Sequence, residues 1–290
     1  LFTKIDFRLK TDITCCSDDF DYFIHAETIV EDFDFDYSNQ LEGFENKRFN
    51  KSKPAPKGFL GAGLLASPFL FLGNLLDVLF GEISYNHVNF KILLYSFAPY
   101  FYFVSSLYFI FKSMINLDFN ISPEATLLFI SGSGVIYYFT ERYSMTHVYE
   151  VFACSLIIFL SSSYYSTKKN MYALLIPFAI FIGFEIKWIH FYFFLIPFLV
   201  KHLKNSHIKL SQNKYFISSA VFFFAFHFIL SKLIYGVYTI SWKYVHYNFE
   251  GDGDFVKDYF ISGLNSPMFY LTNLKNVFIH FYTQEFGLIY

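Results

Sequence analysis

The chain of 290 residues is 54% hydrophobic, 24% aromatic and only 16% charged, with a mean hydropathy of +0.37; soluble globular domains carry about 25% charged residues, so this composition excludes that class and indicates an integral membrane protein. Its 24 acidic and 22 basic side chains leave a net charge of -2. The bases are spread over loops, with no compact basic face interleaved with aromatics, which argues against nucleic acid as a partner. Cys15, Cys16 and Cys154 supply neither a disulfide framework nor a C-x-x-C metal knuckle and read as small packing residues.

The first informative stretch is Cys15 to Gln40, where Ser17-Asp18-Asp19-Phe20-Asp21-Tyr22 and Glu31-Asp32-Phe33-Asp34-Phe35-Asp36 crowd carboxylates beside an otherwise apolar chain. Tyr22, His25, Ala26, Ile29 and Val30 share one face at helical spacing, which predicts a helix over Asp21 to Val30 with Asp18 and Asp19 at its entry. Carboxylates there have two readings. They meet the positive end of the helix dipole as caps, or one of them serves as a general base that takes the proton of an attacking hydroxyl or amine. A divalent-metal reading of Asp18, Asp19 and Asp21 also stands, although the spacing matches no EF-hand loop.

Lys47, Arg48, Lys51, Lys53 and Lys57 follow. They form either a solvated basic run or a headgroup-level cradle for the phosphate of a lipid carrier. The next segment, Phe59 to Phe80, is hydrophobic, yet Gly61, Gly63, Pro68 and Gly73 interrupt it and Asp77 sits near its end. A regular lipid-exposed span is not expected from that pattern. The expected organisation is therefore an external acidic loop over residues 1–58, juxtamembrane interfacial helices over 59–80 and a transmembrane bundle over 81–290. The five bases before the segment oppose an external loop under the positive-inside rule; the acidic loop and the broken hydrophobic segment favour it.

Runs long enough to cross about 30 Å of hydrocarbon occur at Val88 to Phe111, Ile121 to Thr140, His147 to Ser166 and Tyr215 to Tyr238. Met171 to Phe184 and Ile189 to Val200 are shorter and read as two short spans, with Glu185-Ile186-Lys187-Trp188 at the interface between them. Lys168, Lys169, Lys201, Lys204, Lys209 and Lys214 mark the cytoplasmic loops. Glu141 to Thr146 and Glu185 to Trp188 then face outward, and Lys112 to Asn120 faces inward.

Glu141, Arg142, His147 and Glu150 gather where a loop enters a span, with His147 and Glu150 at i and i+3. Ionisable groups at that depth line a pocket or anchor the start of a helix. Glu185 and Lys187 come out on the same side, as a local ion pair or as part of that pocket. His227, alone in an apolar run, reads as a hydrogen-bonded core residue. Glu250-Gly251-Asp252-Gly253-Asp254 has the look of a D-x-D diphosphate motif, but turn chemistry explains it as well. The chain opens on Leu1 and stops at Tyr290 inside an apolar stretch, as expected of a piece of a longer protein.

The order of the S-D-D-x-D-Y loop, Lys57 to Gly73 (K-G-F-L-G-A-G-L-L-A-S-P-F-L-F-L-G), Ser144-Met145-Thr146-His147-Val148-Tyr149-Glu150 and Gln284-Glu285-Phe286-Gly287-Leu288 resembles bacterial GT-C membrane glycosyltransferases of the protein mannosyltransferase and aminoarabinose transferase type. The resemblance implies an all-α polytopic bundle with an external catalytic loop and juxtamembrane helices, in a bacterial cytoplasmic membrane, acting on its outer face. By motif it implies Asp18 as catalytic residue with Asp19 as its acidic neighbour. It also implies a polyprenyl-phosphate sugar as donor, with Lys57 at the phosphate and Asp21, Arg142, His147, Glu150 and Lys187 around the substrates. No cofactor is implied, and the acceptor is not specified. Two departures are visible: Glu141-Arg142 stands where these proteins often show Arg-Glu, and Lys187 where they often show Arg, whose bidentate geometry an ammonium does not reproduce. Two other classes fit the composition. A transporter or lipid flippase would show paired broken helices in related halves, and a polysaccharide ligase or polymerase would use a lipid-diphosphate donor.

Overall fold

The computed structural model describes residues 17–42, 49–50, 53–56, 58–81, 89–119, 122–140, 142–236 and 238. These are helical except for loops and a two-residue antiparallel ladder pairing Phe49–Asn50 with Lys53–Pro54. Helix α1 (Ser17–Glu27) passes into a π turn, Thr28–Asp32. Of the face expected for this helix, Tyr22, His25, Ala26 and Val30 are buried and Ile29 is half-buried, but Asp21, Phe23, Ile24 and Thr28 are buried too, so the helix is enclosed beyond that face.

Helix α2 (Leu60–Phe80) is continuous through all its glycines and Pro68, where the sequence predicts interruption. The reason is local. Pro68 lacks the N–H that would reach the Leu64 carbonyl, and the Ser67 hydroxyl donates to that oxygen instead, at 2.7 Å. The glycines allow close approach. A β-carbon on Gly63 would lie 2.5 Å from His25 Cβ, and one on Gly73 would lie 2.6 Å from Lys91 Cα. Asp77 accepts from the backbone N–H groups of Phe90 and Lys91 at 2.8 and 2.9 Å, so this carboxylate caps the next helix.

That helix, α3 (Phe90–Asn116), meets α2 along its first half. Gly73 abuts Phe90 and Lys91, and the Tyr102 hydroxyl donates to the Leu65 carbonyl at 2.8 Å. Its second half follows α6 (His147–Thr167), through Phe109 stacked on Phe159 and Asn116 bonded to Ser162 and Ser163. The expected span Ile121 to Thr140 does not form one helix. It divides into α4 (Pro123–Ser131) and α5 (Val135–Thr140) at Gly132-Ser133-Gly134. Gly132 and Gly134 disfavour helix, and Ser133 turns its hydroxyl onto the Ile130 carbonyl at 2.6 Å.

After α6 the chain returns as α7 (Asn170–Ile186), breaks at extended Lys187, and continues as a 3₁₀ helix (Trp188–Leu195) and α8 (Ile196–Leu203). The last described helix is α9 (Lys214–Tyr235). Four helices, α2, α3, α6 and α9, are long and apolar enough to cross a membrane by length and composition. The lysine-bearing turns share one end of the bundle: Lys204 pairs with Asp118 at 2.5 Å, and Asn213 bonds Tyr164 and Asn170. Helix α1, residues 142–146 and Lys187 occupy the other.

A buried histidine ties α1 to that end. His25 Nε2 donates to the Gly58 carbonyl at 2.9 Å, which leaves Nδ1 to accept from the Tyr37 hydroxyl at 2.8 Å. Burial pushes the imidazole down to about 4, against a lesser upward pull from Gly58, and raises the Tyr37 phenol well above its ordinary value. The unfolded chain protonates His25 below about 6.5 while the folded chain resists until about 4, so the contribution is complete above pH 6.5 and is lost as pH falls towards 4. Thermal melts over that range should lose about 3 kcal/mol of stability from this group, and His25→Gln should flatten the dependence.

Candidate functional site

The site is assembled around the short segment that precedes α6. Asp19, in the first turn of α1, is buried, and its Oδ2 accepts from Arg142 Nε at 3.1 Å and Nη2 at 3.0 Å. The Ser144 hydroxyl donates to the Asp19 carbonyl at 2.7 Å. Tyr95 must therefore donate to Ser144 Oγ, 2.9 Å away. Phe23 of α1 packs edge-on against the Tyr95 ring, with centroids 5.0 Å apart. The strap 142–146 thus clasps the acidic helix to α3 and α6 by charge, hydroxyl and aromatic contacts together.

One turn further on, α6 presents Glu150. Its Oε1 accepts from Thr146 Oγ1 at 2.5 Å and Lys187 Nζ at 3.1 Å; its Oε2 lies 3.4 Å from His190 Nε2 and 3.7 Å from His147 Nδ1. One carboxylate thus organises an ammonium and two imidazoles, a set able to hold hydroxyl groups and to exchange protons with them. His147, Glu150 and His190 line a cleft of about 730 Å³ with Tyr138, Tyr192 and Phe193. Ser133 and Gly134 of the break after α4 and His190, Tyr192 and Phe193 of the 3₁₀ helix are parts of its wall. The rings of Tyr138 and His147 meet with centroids 3.9 Å apart, and His190 stacks on Phe193 at 4.5 Å.

Glu185 and Lys187 do not pair with each other. The extended backbone at Lys187, φ -160° and ψ 120°, sends Lys187 to Glu150 and leaves Glu185 facing α9. There His227 Nδ1 meets Glu185 Oε1 at 2.7 Å. His227 also closes an apolar groove of about 370 Å³ between α7, the 3₁₀ helix and α9, lined by Phe181, Phe184, Phe191, Phe194 and Phe223.

Of the candidates named from sequence, the structure joins Asp19 to Arg142, and it gathers His147, Glu150 and Lys187. Asp21 is buried beside Gly58, where a β-carbon on that glycine would lie 2.9 Å from Asp21 Cβ, and is not among the residues lining the cleft. The backbone of Asp18 lies in the first turn of α1; its side chain lies outside the described residues, as do Lys57, Glu141, the D-x-D segment and 284–288. His190 was not anticipated. Its signal was an ionisable residue three positions after Lys187, within a run read only for its hydrophobicity. Among the described residues no three His, Cys, Asp or Glu are arranged to hold a metal ion. Comparison with protein-family models, curated proteins and solved structures gave no match to this chain.

Proposed function

We propose that this chain is the membrane-embedded part of a glycosyltransferase that moves a sugar from a polyprenyl monophosphate to an acceptor at the membrane surface. The observation that carries the reading is the Asp19–Arg142 clasp. It fixes an acidic helix against the same bundle end as the cleft lined by His147, Glu150 and His190.

In this mechanism the acceptor oxygen attacks the anomeric carbon as its proton passes to Asp18. The bond from the anomeric carbon to the phosphate oxygen breaks, the phosphate keeps the electron pair, and the anomeric configuration inverts. Arg142, engaged by Asp19, acts as a positioning residue. Lys57 supplies charge to the departing phosphate, and His147, Glu150 and His190 orient sugar hydroxyls.

The full-length protein in proteoliposomes, given radiolabelled polyprenyl-phosphate sugar, tests this. Asp18→Asn should lower transfer by about 10²–10⁴-fold, the range for loss of a general base, with expression unchanged. Normal turnover in that variant rejects the assignment.

A second reading, a transporter, draws on one observation: residues of two interruptions of apolar segments, Ser133 and Gly134 in one and His190, Tyr192 and Phe193 in the other, line the same cleft. Translocation of solute or lipid by the same proteoliposomes without sugar transfer would favour it.

A further inference from the structure

The end of the bundle opposite the cleft carries a feature that sugar transfer does not use. Three turns converge there, after α3, between α6 and α7, and between α8 and α9. They bring Lys168, Lys169, Lys201, Lys204, Lys209 and Lys214 together. The described acids of this end are Asp118, paired with Lys204, and Glu124 at the start of α4. Lys201 takes part in no ion pair among the described residues.

The charge is shaped as well as concentrated. Helix α8 stops as Asn205 enters the left-handed region at φ +49°, with Ser206 N–H donating to the Lys201 carbonyl at 3.1 Å. That turn folds the chain back into a recess of about 490 Å³ lined by Phe198, Lys201, His202, Asn205, Ser206 and His207. Residues that carry an ammonium, two imidazoles, an amide and a hydroxyl thus line one concavity together with Phe198. Phe198, Leu199 and Leu203 of α8 are exposed. The apolar surface that would meet hydrocarbon therefore continues directly into the charged recess.

A soluble anion would use only the polar half of this surface. An amphiphile with an anionic headgroup uses both halves, and long-stemmed lysines at such a border reach from apolar surface to charge. Two neighbours show that habit: Lys112 Nζ lies 5.7 Å from the Tyr108 ring centroid and Lys214 Nζ lies 5.3 Å from that of Tyr215. We propose that the recess at the end of α8 binds the phosphate headgroup of an anionic phospholipid, whose acyl chains lie along Phe198, Leu199 and Leu203.

The purified full chain, stripped of lipid and incubated with equal amounts of dioleoyl phosphatidylglycerol and dioleoyl phosphatidylcholine, can be read by native mass spectrometry. Phosphatidylglycerol should be retained in preference. Lys201→Gln should reduce that preference about fivefold, as expected for one surface lysine, and Lys232→Gln, in the last turn of α9 at the other end, should leave it unchanged. Equal retention of the two lipids, or a preference untouched by Lys201→Gln, overturns the proposal. Displacement of the lipid by millimolar inorganic phosphate also overturns it, by making the recess a site for soluble anions. Where Lys201→Gln fails to fold, high salt applied to the unaltered chain decides: loss of preference supports the site, and persistence refutes it. None of these readouts depends on sugar transfer.

Discussion

Arg142→Leu should destabilise the protein by about 3–5 kcal/mol, seen as a large drop in the detergent-solubilised melting temperature. Removing the guanidinium strips a buried carboxylate of its charge-assisted donors. Asp19 is 3% exposed, so water cannot replace the two N–H donors that its Oδ2 would lose. The control is the double variant Asp19→Asn with Arg142→Leu, in which both members of the pair are neutral. It should recover a substantial part of the loss, because contacting partners are not additive. If the double variant melts no higher than Arg142→Leu alone, the pair is not what holds α1 in place. The cycle also separates structure from chemistry: stability that returns without sugar transfer marks the Asp19–Arg142 couple as the positioning device of the proposed reaction.

Gly61→Leu should be nearly as damaging for a different reason. A β-carbon there would overlap the Ile186 backbone nitrogen and lie 2.5 Å from the Glu185 carbonyl carbon. Backbone does not swing aside as a side-chain tip does, so α2 must separate from the end of α7. Overpacking of this kind costs about 1–3 kcal/mol in tolerant cores and more where backbone is the obstacle. The effect should reach beyond stability, since the displaced residues adjoin Lys187 and Glu185 and hence both polar pairs. Gly134→Ala is the contrasting variant: nothing lies within 4 Å of the added carbon, and its melting temperature should stay near that of the parent. Equal losses in the two variants would sink the close-packing account of α2.

Hydrophobic runs without internal glycine are legible in the sequence. The expected His147 to Ser166 and Val88 to Phe111 differ from α6 and α3 by a few residues at their ends. Both misreadings concern glycine, whose meaning depends on partners remote in sequence. In α2 the glycines face neighbouring backbone and the helix continues; at Gly132 and Gly134 the same residue type ends it. Residue counting along one strand of text does not distinguish these cases. The site was readable in part by spacing: His147 and Glu150 are helical neighbours, so periodicity pairs them. The partners of Glu150 that arrive from beyond the corner at Lys187, and the Arg142 contact across 123 positions, depend on tertiary packing that no local pattern encodes.

The corner at Lys187 also shapes how the molecule presents itself electrically. By turning an acid and a base two positions apart toward different helices, it closes Glu150 with Lys187 and Glu185 with His227 as two compact couples. Glu150 and Glu185 at that pole therefore each have a basic side chain within 3.1 Å. The opposite pole keeps its ammonium groups in excess. Among the described residues most unpaired ammonium groups thus gather at one end of the bundle, an asymmetry on which a membrane potential and an anionic leaflet would act.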